Sequence, residues 1–294
     1  PSTRSPSMNA ATDMIREVPE TELAQKKATT SSFYSAMRIL PRIERDAMFA
    51  IYAFCRAVDD IADDGVGTRE SRHAALEAWR ADLAKLYHAG TVPERVAFLR
   101  AAIVRFHLRE EDFLAVIDGM DMDVAADICA PSFETLDLYC DRVASAVGRL
   151  SIKVFGMDEN PGFALAFHLG RALQLTNILR DLDEDAAINR LYLPREALTE
   201  AGIQTIEPRL AVSTPLIDKA CRVVAARAHE HYRGAETILA RHPKGRIAAP
   251  RLMAAVYSKI LSKMERAGWA PPRTRARIGK AELLLLVSRH GLFG

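Results

Sequence analysis

Residues 51–64 read Ile51-Tyr52-Ala53-Phe54-Cys55-Arg56-Ala57-Val58-Asp59-Asp60-Ile61-Ala62-Asp63-Asp64. The stretch has the apolar pattern of a buried helix, yet it ends in aspartates spaced four residues apart. On an α-helix, Asp59 and Asp63 share one face and lie about 6 Å apart along the axis. Like charges at this spacing destabilise a helix. If the pair is buried, we therefore expect a cation to bind there.

A second stretch with a helical pattern, from Gln174 to Asp185, repeats the D-x-x-x-D spacing at Asp181 and Asp185. Gln174 and Asn177 fall on the same face at three- and four-residue steps, with Arg180 beside them. Two such pairs predict facing carboxylates that hold hard divalent ions. Mg²⁺ fits, because it takes oxygen ligands and is typically held by one or two carboxylates plus substrate phosphates. The expected class is an enzyme that handles diphosphates.

Two side chains upstream of the first aspartate pair extend its face. Tyr52 and Arg56 follow the same stripe at helical spacing. A guanidinium one turn before two carboxylates can pair with them or hold a phosphate in a bidentate fashion. Two other interpretations stay open at this point. The acidic runs can be solvated surface, or the bundle can hold two irons, although that site requires Glu-x-x-His pairs and neither cluster contains His.

Composition narrows the class of protein. The chain has 294 residues, of which 49% are hydrophobic and 27% charged, as in ordinary globular proteins. The 15 glycines and 14 prolines are few for this length, which favours an all-α fold. A net charge of +2 with interspersed basic residues indicates no nucleic-acid partner. The four cysteines lack C-x-x-C spacing and are typical of reduced core residues in a cytoplasmic protein.

The pattern along the chain predicts a single all-α domain over residues 26–294, after a disordered leader over residues 1–25 whose first seven residues are a cloning remnant. No apolar run reaches the roughly 18 residues that a membrane span needs. No strand, repeat or linker is evident. Helices are expected near residues 31–40, 43–62, 69–88, 93–107, 110–126, 132–155, 161–185, 214–241, 246–267 and 279–290.

The remaining candidate residues are better explained by structural roles than by catalytic ones. Asp121, Asp123 and Asp127 form a third acidic patch, which we expect on the solvated side of a helix. Tyr139 has small neighbours and, on pattern alone, is more typical of a core residue than of a catalytic one. No G-x-G-x-x-G follows a strand, so a nicotinamide site is not indicated.

Three segments resemble the signatures of the squalene/phytoene synthase family of head-to-head prenyl transferases: residues 51–60, 174–185 and 190–194. The resemblance extends from about Ser31 to about Lys280. Residues 31–36 and 118–123 further resemble the bacterial, hopanoid-pathway branch of the family. The resemblance implies an isoprenoid-synthase fold with a central apolar cavity and several Mg²⁺ ions at its mouth.

The implied reaction condenses two farnesyl diphosphates to presqualene diphosphate. Squalene, dehydrosqualene or phytoene synthase activity stays open, the last on geranylgeranyl diphosphate, as does a non-catalytic helical assembly factor. We expect no NADPH requirement. Enzymes of the squalene pathway are the expected downstream partners. The amphipathic end, roughly residues 281–292, is compatible with a peripheral contact to the inner membrane, although plain packing is favoured.

The resemblance also assigns roles to individual residues. The metal ligands it implies are Asp59, Asp63, Asn177, Asp181 and Asp185. The groups it implies for diphosphate and substrate binding are Ser32, Phe33, Arg56, Gln174, Asn177, Arg180, Arg190, Tyr192 and Arg275. Beside the four aspartates, the catalytic residues it implies are Tyr52, Arg56 and Tyr139.

Overall fold

The computed structural model describes residues 37–63, 67–126 and 128–291. Over these ranges the chain is all-α, as predicted, and its only extended pairing is an isolated parallel bridge between Cys129 and Leu191. The described α-helices are α1 (Arg42–Asp63), α2 (Arg69–Ala84), α3 (Arg100–Phe106), α4 (Glu110–Ala125), α5 (Phe133–Cys140), α6 (Ala146–Val154), α7 (Glu159–Arg180), α8 (Leu182–Ala187), α9 (Arg195–Ala201), α10 (Pro208–Ser213), α11 (Ile217–Ala240), α12 (Ala248–Ala267) and α13 (Lys280–Gly291).

Helix α7 is the centre of the fold. It packs against α6, α11 and α12 and against the π-helical turn Asp141–Ser145 that joins α5 to α6. Small residues allow the closest approach: a Cβ on Gly170 would lie 2.7 Å from Ser145 Cα, and one on Gly148 would lie 3.0 Å from Ala166 Cα. The chain segment that runs from α5 through this π-helical turn to α6 therefore packs directly on α7. Close backbone contacts fix its position along α7.

Two connected apolar clusters form the core. The first joins α1, α2 and α4, where the Phe54 ring meets Trp79 and Phe113 edge to face at centroid distances of 5.6 and 5.0 Å. The second joins the C-terminal half of α7 to α11 and α12. Rings in this edge-on geometry stabilise a core beyond the area they bury. The functional side chains lie where the ends of α1 and α7 meet.

Most predicted helices are present, but the second acidic stretch is not one uninterrupted helix. Helix α7 ends at Arg180, and Asp181 takes φ −104° and ψ 20° before α8 begins. The Asp181 carbonyl still accepts the backbone N–H of Asp185 at 2.8 Å, so the four-residue spacing survives the break. The short helices α9 and α10 were not predicted.

Some predictions fall outside the described residues, among them the leader over residues 1–25 and the side chains of Ser32 and Phe33. Within the part of the chain that the structure covers, no helix combines the length and the apolar character required to cross a bilayer.

Candidate active site

The first acidic cluster occupies the last turn of α1. Arg56 Nη1 donates to Asp59 Oδ2 at 2.5 Å, and its other terminal nitrogen binds Asp60. Burial, and then the neighbouring charge of Asp63, raise the pKa of Asp59 to about 7, although Arg56 opposes the shift. The predicted stripe is therefore a real, half-buried face on which carboxylates are crowded together.

The second cluster lies at the junction of α7 and α8. Arg180 forms a fork with Asp181, in which Nε and Nη2 each donate at 2.7 Å, and Arg275 Nε donates to the same carboxylate at 2.7 Å. Burial favours the neutral form of Asp181, but these hydrogen bonds hold its pKa below the usual value. Burial, and then the charge of Asp181, raise the pKa of Asp185 to about 8.

Arg190 joins the two clusters. Its Nη1 donates to Asp63 Oδ1 at 2.5 Å and its Nη2 to the Ala62 carbonyl at 2.9 Å, while its backbone N–H donates to the Asp185 carbonyl at 2.9 Å. The isolated bridge holds this loop, because Leu191 N–H donates to the Ile128 carbonyl at 2.7 Å. The two acidic faces therefore meet at one site.

The donor set at this site fits a hard cation. Among the described residues, Asn177 Oδ1 is a buried oxygen with no hydrogen-bond partner, although its Nδ2 donates to Gln174 Oε1 at 3.5 Å. A buried unsatisfied acceptor costs about 1–3 kcal/mol. A divalent ion held by this oxygen and the neighbouring carboxylates would offset that cost, and an all-oxygen set suits Mg²⁺. The residues present therefore fit the ion that the sequence predicts.

Asp123 corrects one prediction. It was expected on a solvated face, but it is only 3% exposed. Tyr139 donates to Asp123 Oδ2 at 3.0 Å and Tyr192 to Oδ1 at 2.9 Å, and the two rings stack with centroids 5.0 Å apart. Arg190 Nε lies 3.9 Å from the same carboxylate. Tyr139 and Tyr192 are thus brought together next to the first cluster by a residue that the helical pattern alone placed outside.

One further tyrosine near the site, Tyr257, was not identified from the sequence. Tyr257, in the buried stripe of α12, is hydrogen-bonded to Arg180, and burial raises its pKa. Tyr52 lies one turn before Arg56 on α1, and burial also raises its pKa, with Tyr257 among the groups that act on it. Nothing in the sequence distinguishes Tyr257 from a core residue, because its neighbours at helical spacing are apolar.

An apolar cavity lies between α1, α6, α7 and α12. Met48 in its wall lies one turn before Tyr52, and Leu173 lies one turn before Asn177. The cavity and the acidic site are thus consecutive segments of the same helix faces. Its other lining residues include Met37, Val147, Phe155, Leu169 and Met253.

An all-α fold that sets facing aspartate clusters and arginines over an apolar cavity defines the class of helical prenyl-diphosphate synthases. The sequence model for squalene/phytoene synthase matches residues 26–282. The chain therefore belongs to the squalene/phytoene synthase family, and it is an enzyme of the prenyltransferase type.

Individual relatives agree with this assignment. The chain is 57% identical over 262 residues to the presqualene diphosphate synthase of Zymomonas mobilis, covering 89% of each chain. It is 49% identical over 278 residues to the presqualene diphosphate synthase of Rhodopseudomonas palustris, covering 95% of this chain and 99% of the relative. A phytoene synthase of Thermus thermophilus is 32% identical, with 90% of this chain and 89% of the relative covered.

Solved structures show the same fold. A dehydrosqualene synthase in complex with a ligand superposes with a TM-score of 0.76 at 24% identity, covering 92% of this chain and 94% of the other. A squalene synthase of Alicyclobacillus acidocaldarius superposes with a TM-score of 0.73 at 27% identity, covering 86% and 95%. The predicted isoprenoid-synthase fold is confirmed.

Proposed function

We propose that this enzyme condenses two molecules of farnesyl diphosphate head to head, with release of diphosphate, to form presqualene diphosphate. The observation that carries the proposal is the convergence of two aspartate clusters, bound together by Arg190, beyond an apolar cavity. We take this acidic site as the mouth of the cavity, because Tyr52 and Asn177 lie one turn beyond its wall residues Met48 and Leu173. High identity to presqualene diphosphate synthases supports the choice of product. A reductive enzyme of squalene biosynthesis would consume that product.

The acidic mouth is suited to the departing diphosphate. Asp59, Asp63, Asn177, Asp181 and Asp185 would hold Mg²⁺, which when bound supplies Lewis-acid stabilisation of the leaving group. The groups that would bind diphosphate oxygens directly are Arg56, Arg180, Arg190 and Arg275. Because guanidinium forks are rigid and permanently charged, they can stabilise negative charge as it develops on the leaving oxygen.

The cavity is suited to the cation that remains. Its walls are almost wholly apolar, so water that would trap an allylic cation as an alcohol is excluded. Carbon 1 of this cation adds to the 2,3 double bond of the second farnesyl chain, and loss of a proton then closes a cyclopropane. Tyr52 lies one turn after the cavity-lining Met48, and we propose that its ring and that of Tyr139 offer their negative faces to the cation.

The reaction is tested by incubating the enzyme with farnesyl diphosphate and Mg²⁺, with and without NADPH, and analysing the phosphorylated product by mass spectrometry before any workup. We expect presqualene diphosphate under both conditions. Squalene formed only with NADPH would identify a full squalene synthase instead. Preferential use of geranylgeranyl diphosphate in a competition assay would identify a phytoene synthase.

Single substitutions test the roles of the aspartates. We expect Asp59→Asn and Asp181→Asn each to lower turnover at least about 10²-fold, as does the loss of one strong transition-state stabiliser. Asp46→Asn is the matched control, because Asp46 also lies on α1 but pairs with Arg42 at the surface, 3.8 Å away. Wild-type turnover in either active-site variant would exclude that carboxylate from the metal site.

We also propose that α13 binds the surface of an anionic membrane, from which farnesyl chains are supplied. Its Leu284 and Leu285 are 70% and 68% exposed, and the exposed basic residue Lys280 lies one turn before Leu284 while the exposed Arg289 lies one turn after Leu285. Apolar side chains bordered by basic ones are typical of interfacial helices. Through the segment before it, α13 is also connected to Arg275 at the acidic mouth.

Vesicle flotation tests this surface. The wild-type protein should float with phosphatidylglycerol-rich vesicles at low salt, and the double variant Leu284→Glu/Leu285→Glu should remain in the soluble fraction. Leu210→Glu is the control, because Leu210 is similarly exposed but lies on α10. Equal flotation of the double variant and the wild type would overturn the proposal.

A further inference from the structure

A buried carboxylate lies behind the tyrosines at the site, and the proposed chemistry does not yet use it. Asp123 accepts hydrogen bonds from Tyr139 and Tyr192, one on each carboxylate oxygen, at 3.0 and 2.9 Å. The two hydroxyl oxygens are 3.3 Å apart, a longer contact than either bond to the carboxylate. Each hydroxyl has a single hydrogen, which is therefore directed at Asp123, and each phenolic oxygen keeps lone pairs that can accept a proton.

Asp123 interacts electrostatically with residues of both acidic clusters. Arg190 Nε lies 3.9 Å away, and the charges of Asp63, Asp59 and Asp185 interact with the carboxylate. Burial raises the pKa of Asp123, while Arg190 and the tyrosine hydrogen bonds oppose the shift. A proton added to this carboxylate thus removes one of several negative charges that crowd each other.

Tyr139 lies on the same helical path as part of the cavity wall. The helical path from α5 through the π-helical turn to α6 carries Tyr139 and, further on, the cavity-lining residues Ala144, Val147 and Gly148. The charge of Asp59 also acts on the Tyr139 hydroxyl. The Tyr139 hydroxyl therefore belongs to the electrostatic surroundings of the acidic site, and its helical path continues into the cavity wall.

We propose that Tyr139 and Asp123 form a proton relay that accepts the proton lost when the cyclopropane closes. This inference rests on the proposed function. In that step a C–H bond breaks on the former carbon 1 of the first chain, which is separated from the cationic carbon by one ring carbon, and its electron pair forms the carbon–carbon bond that closes the three-membered ring. The proton moves to the Tyr139 oxygen, and the original hydroxyl proton of Tyr139 passes to Asp123 Oδ2.

Charge and atoms balance in this step. A cation and a carboxylate become a neutral cyclopropane and a neutral carboxylic acid, and Tyr139 is neutral before and after. Asp123 returns its proton to solvent when the product leaves. The interposed hydroxyl also has a chemical advantage, because a carboxylate in direct contact with the cation would capture it as an ester. General-base assistance of this kind contributes typically about 10²–10⁴-fold.

Product partitioning provides a test that a purely structural role would not affect. We expect Asp123→Asn, which keeps the size of the side chain but not its basicity, to lower formation of the cyclopropyl diphosphate at least about 10²-fold. Because the cation then persists, alcohols from its capture by water should form a larger fraction of the products. Asp123→Glu, which restores a base, should return the product ratio towards that of the wild type. Mass spectrometry of all products measures this ratio.

Two tyrosine variants complete the experiment. Tyr139→Phe should shift the product ratio in the same direction as Asp123→Asn, so the relay stays testable even if Asp123→Asn does not fold. Tyr232→Phe should match the wild type, because Tyr232 is a buried tyrosine that binds Thr176 at 2.8 Å outside the site.

The outcomes distinguish failure of the proposed function from failure of the relay alone. If the wild-type enzyme forms no cyclopropyl diphosphate, the proposed function is wrong. If it does, and folded Asp123→Asn or Tyr139→Phe keeps the wild-type rate and product ratio within about threefold, a difference far below the usual contribution of a general base, only the relay is wrong. A changed ratio in Tyr192→Phe with none in Tyr139→Phe would likewise overturn the relay as assigned.

Discussion

Replacing Arg190 by glutamine should destabilise the fold as well as the site. The Arg190 side chain is only 7% exposed, and it contacts Asp63, Ala62 and Asp123. Its removal leaves the buried carboxylate of Asp123 without a nearby cation. Breaking a buried pair in this way costs about 3–5 kcal/mol in general.

The contacts of Arg190 allow the free-energy cost to be worked out for this site. At 3.9 Å from Asp123, an effective dielectric constant of about 20 gives roughly 4 kcal/mol. The tyrosine hydrogen bonds to Asp123 remain and offset part of this loss. Asp63 is 41% exposed, so its pair with Arg190 adds only about 0.5–1 kcal/mol. The Ala62 carbonyl keeps a second donor, Arg72 Nη1 at 3.1 Å. We therefore expect a loss of about 2–4 kcal/mol.

Urea denaturation followed by circular dichroism measures this loss of unfolding free energy. In a thermal scan, the melting temperature should fall by about 4–10 °C. Arg42→Gln is the control, because its surface pair with Asp46 should contribute less than about 0.5 kcal/mol. The double variant Arg190→Gln/Asp123→Asn also removes the stranded charge, so it should recover about 1–3 kcal/mol relative to the sum of the single variants. If the unfolding free-energy losses of the two substitutions were strictly additive, Arg190 would not compensate the buried charge of Asp123.

Two further predictions concern the packing and the pH dependence of the fold. Gly170→Ala should cost about 1–3 kcal/mol in urea denaturation, because its Cβ would clash with Ser145 at 2.7 Å, whereas Gly279→Ala meets only an ordinary contact at 3.5 Å and should be neutral. Burial, and then the charge of His168, lower the pKa of His231 to about 4. The unfolded chain therefore binds this proton first, near pH 6.5, and stability present above that pH falls by about 1–2 kcal/mol as the pH drops towards 4. His231→Gln should flatten this dependence, and an unchanged slope in urea midpoints between pH 7 and pH 4 would contradict the assignment.

The aspartate faces could be predicted because their spacing is local. Four-residue steps place Asp59 and Asp63 on one side of any helix, whatever surrounds it. Their meeting with Asp181 could not be derived from either segment alone, because Arg190 reaches Asp63 from a loop that is held by a single isolated bridge. Resemblance to a family suggested that meeting, and the geometry of the loop now explains it.

Asp123 shows why burial of a charged residue escapes pattern reasoning. Helix α4 carries several carboxylates, and two of them, Asp112 and Asp123, are buried while others face solvent. Each buried one is satisfied by a distant partner: Arg149 Nε lies 2.5 Å from Asp112, and two tyrosine hydroxyls bind Asp123. Since these partners belong to other segments of the chain, the periodicity of α4 alone cannot distinguish its solvated carboxylates from its buried ones.

The division of the site into polar and apolar parts follows from the direction of its helices. Along α1, Met48 lines the cavity and Tyr52 lies one turn later, followed by Arg56 and the aspartates at the helix end. Helix α7 repeats the order from Leu173 to Asn177. One turn is about 5.4 Å, so the groups that would hold a departing diphosphate lie only a turn or two from walls that exclude water. Charge separation at the mouth can therefore leave a carbocation in apolar surroundings without moving either substrate far, and this is the physical reason that an acidic helix end and an apolar helix face occur in the same stretch of sequence.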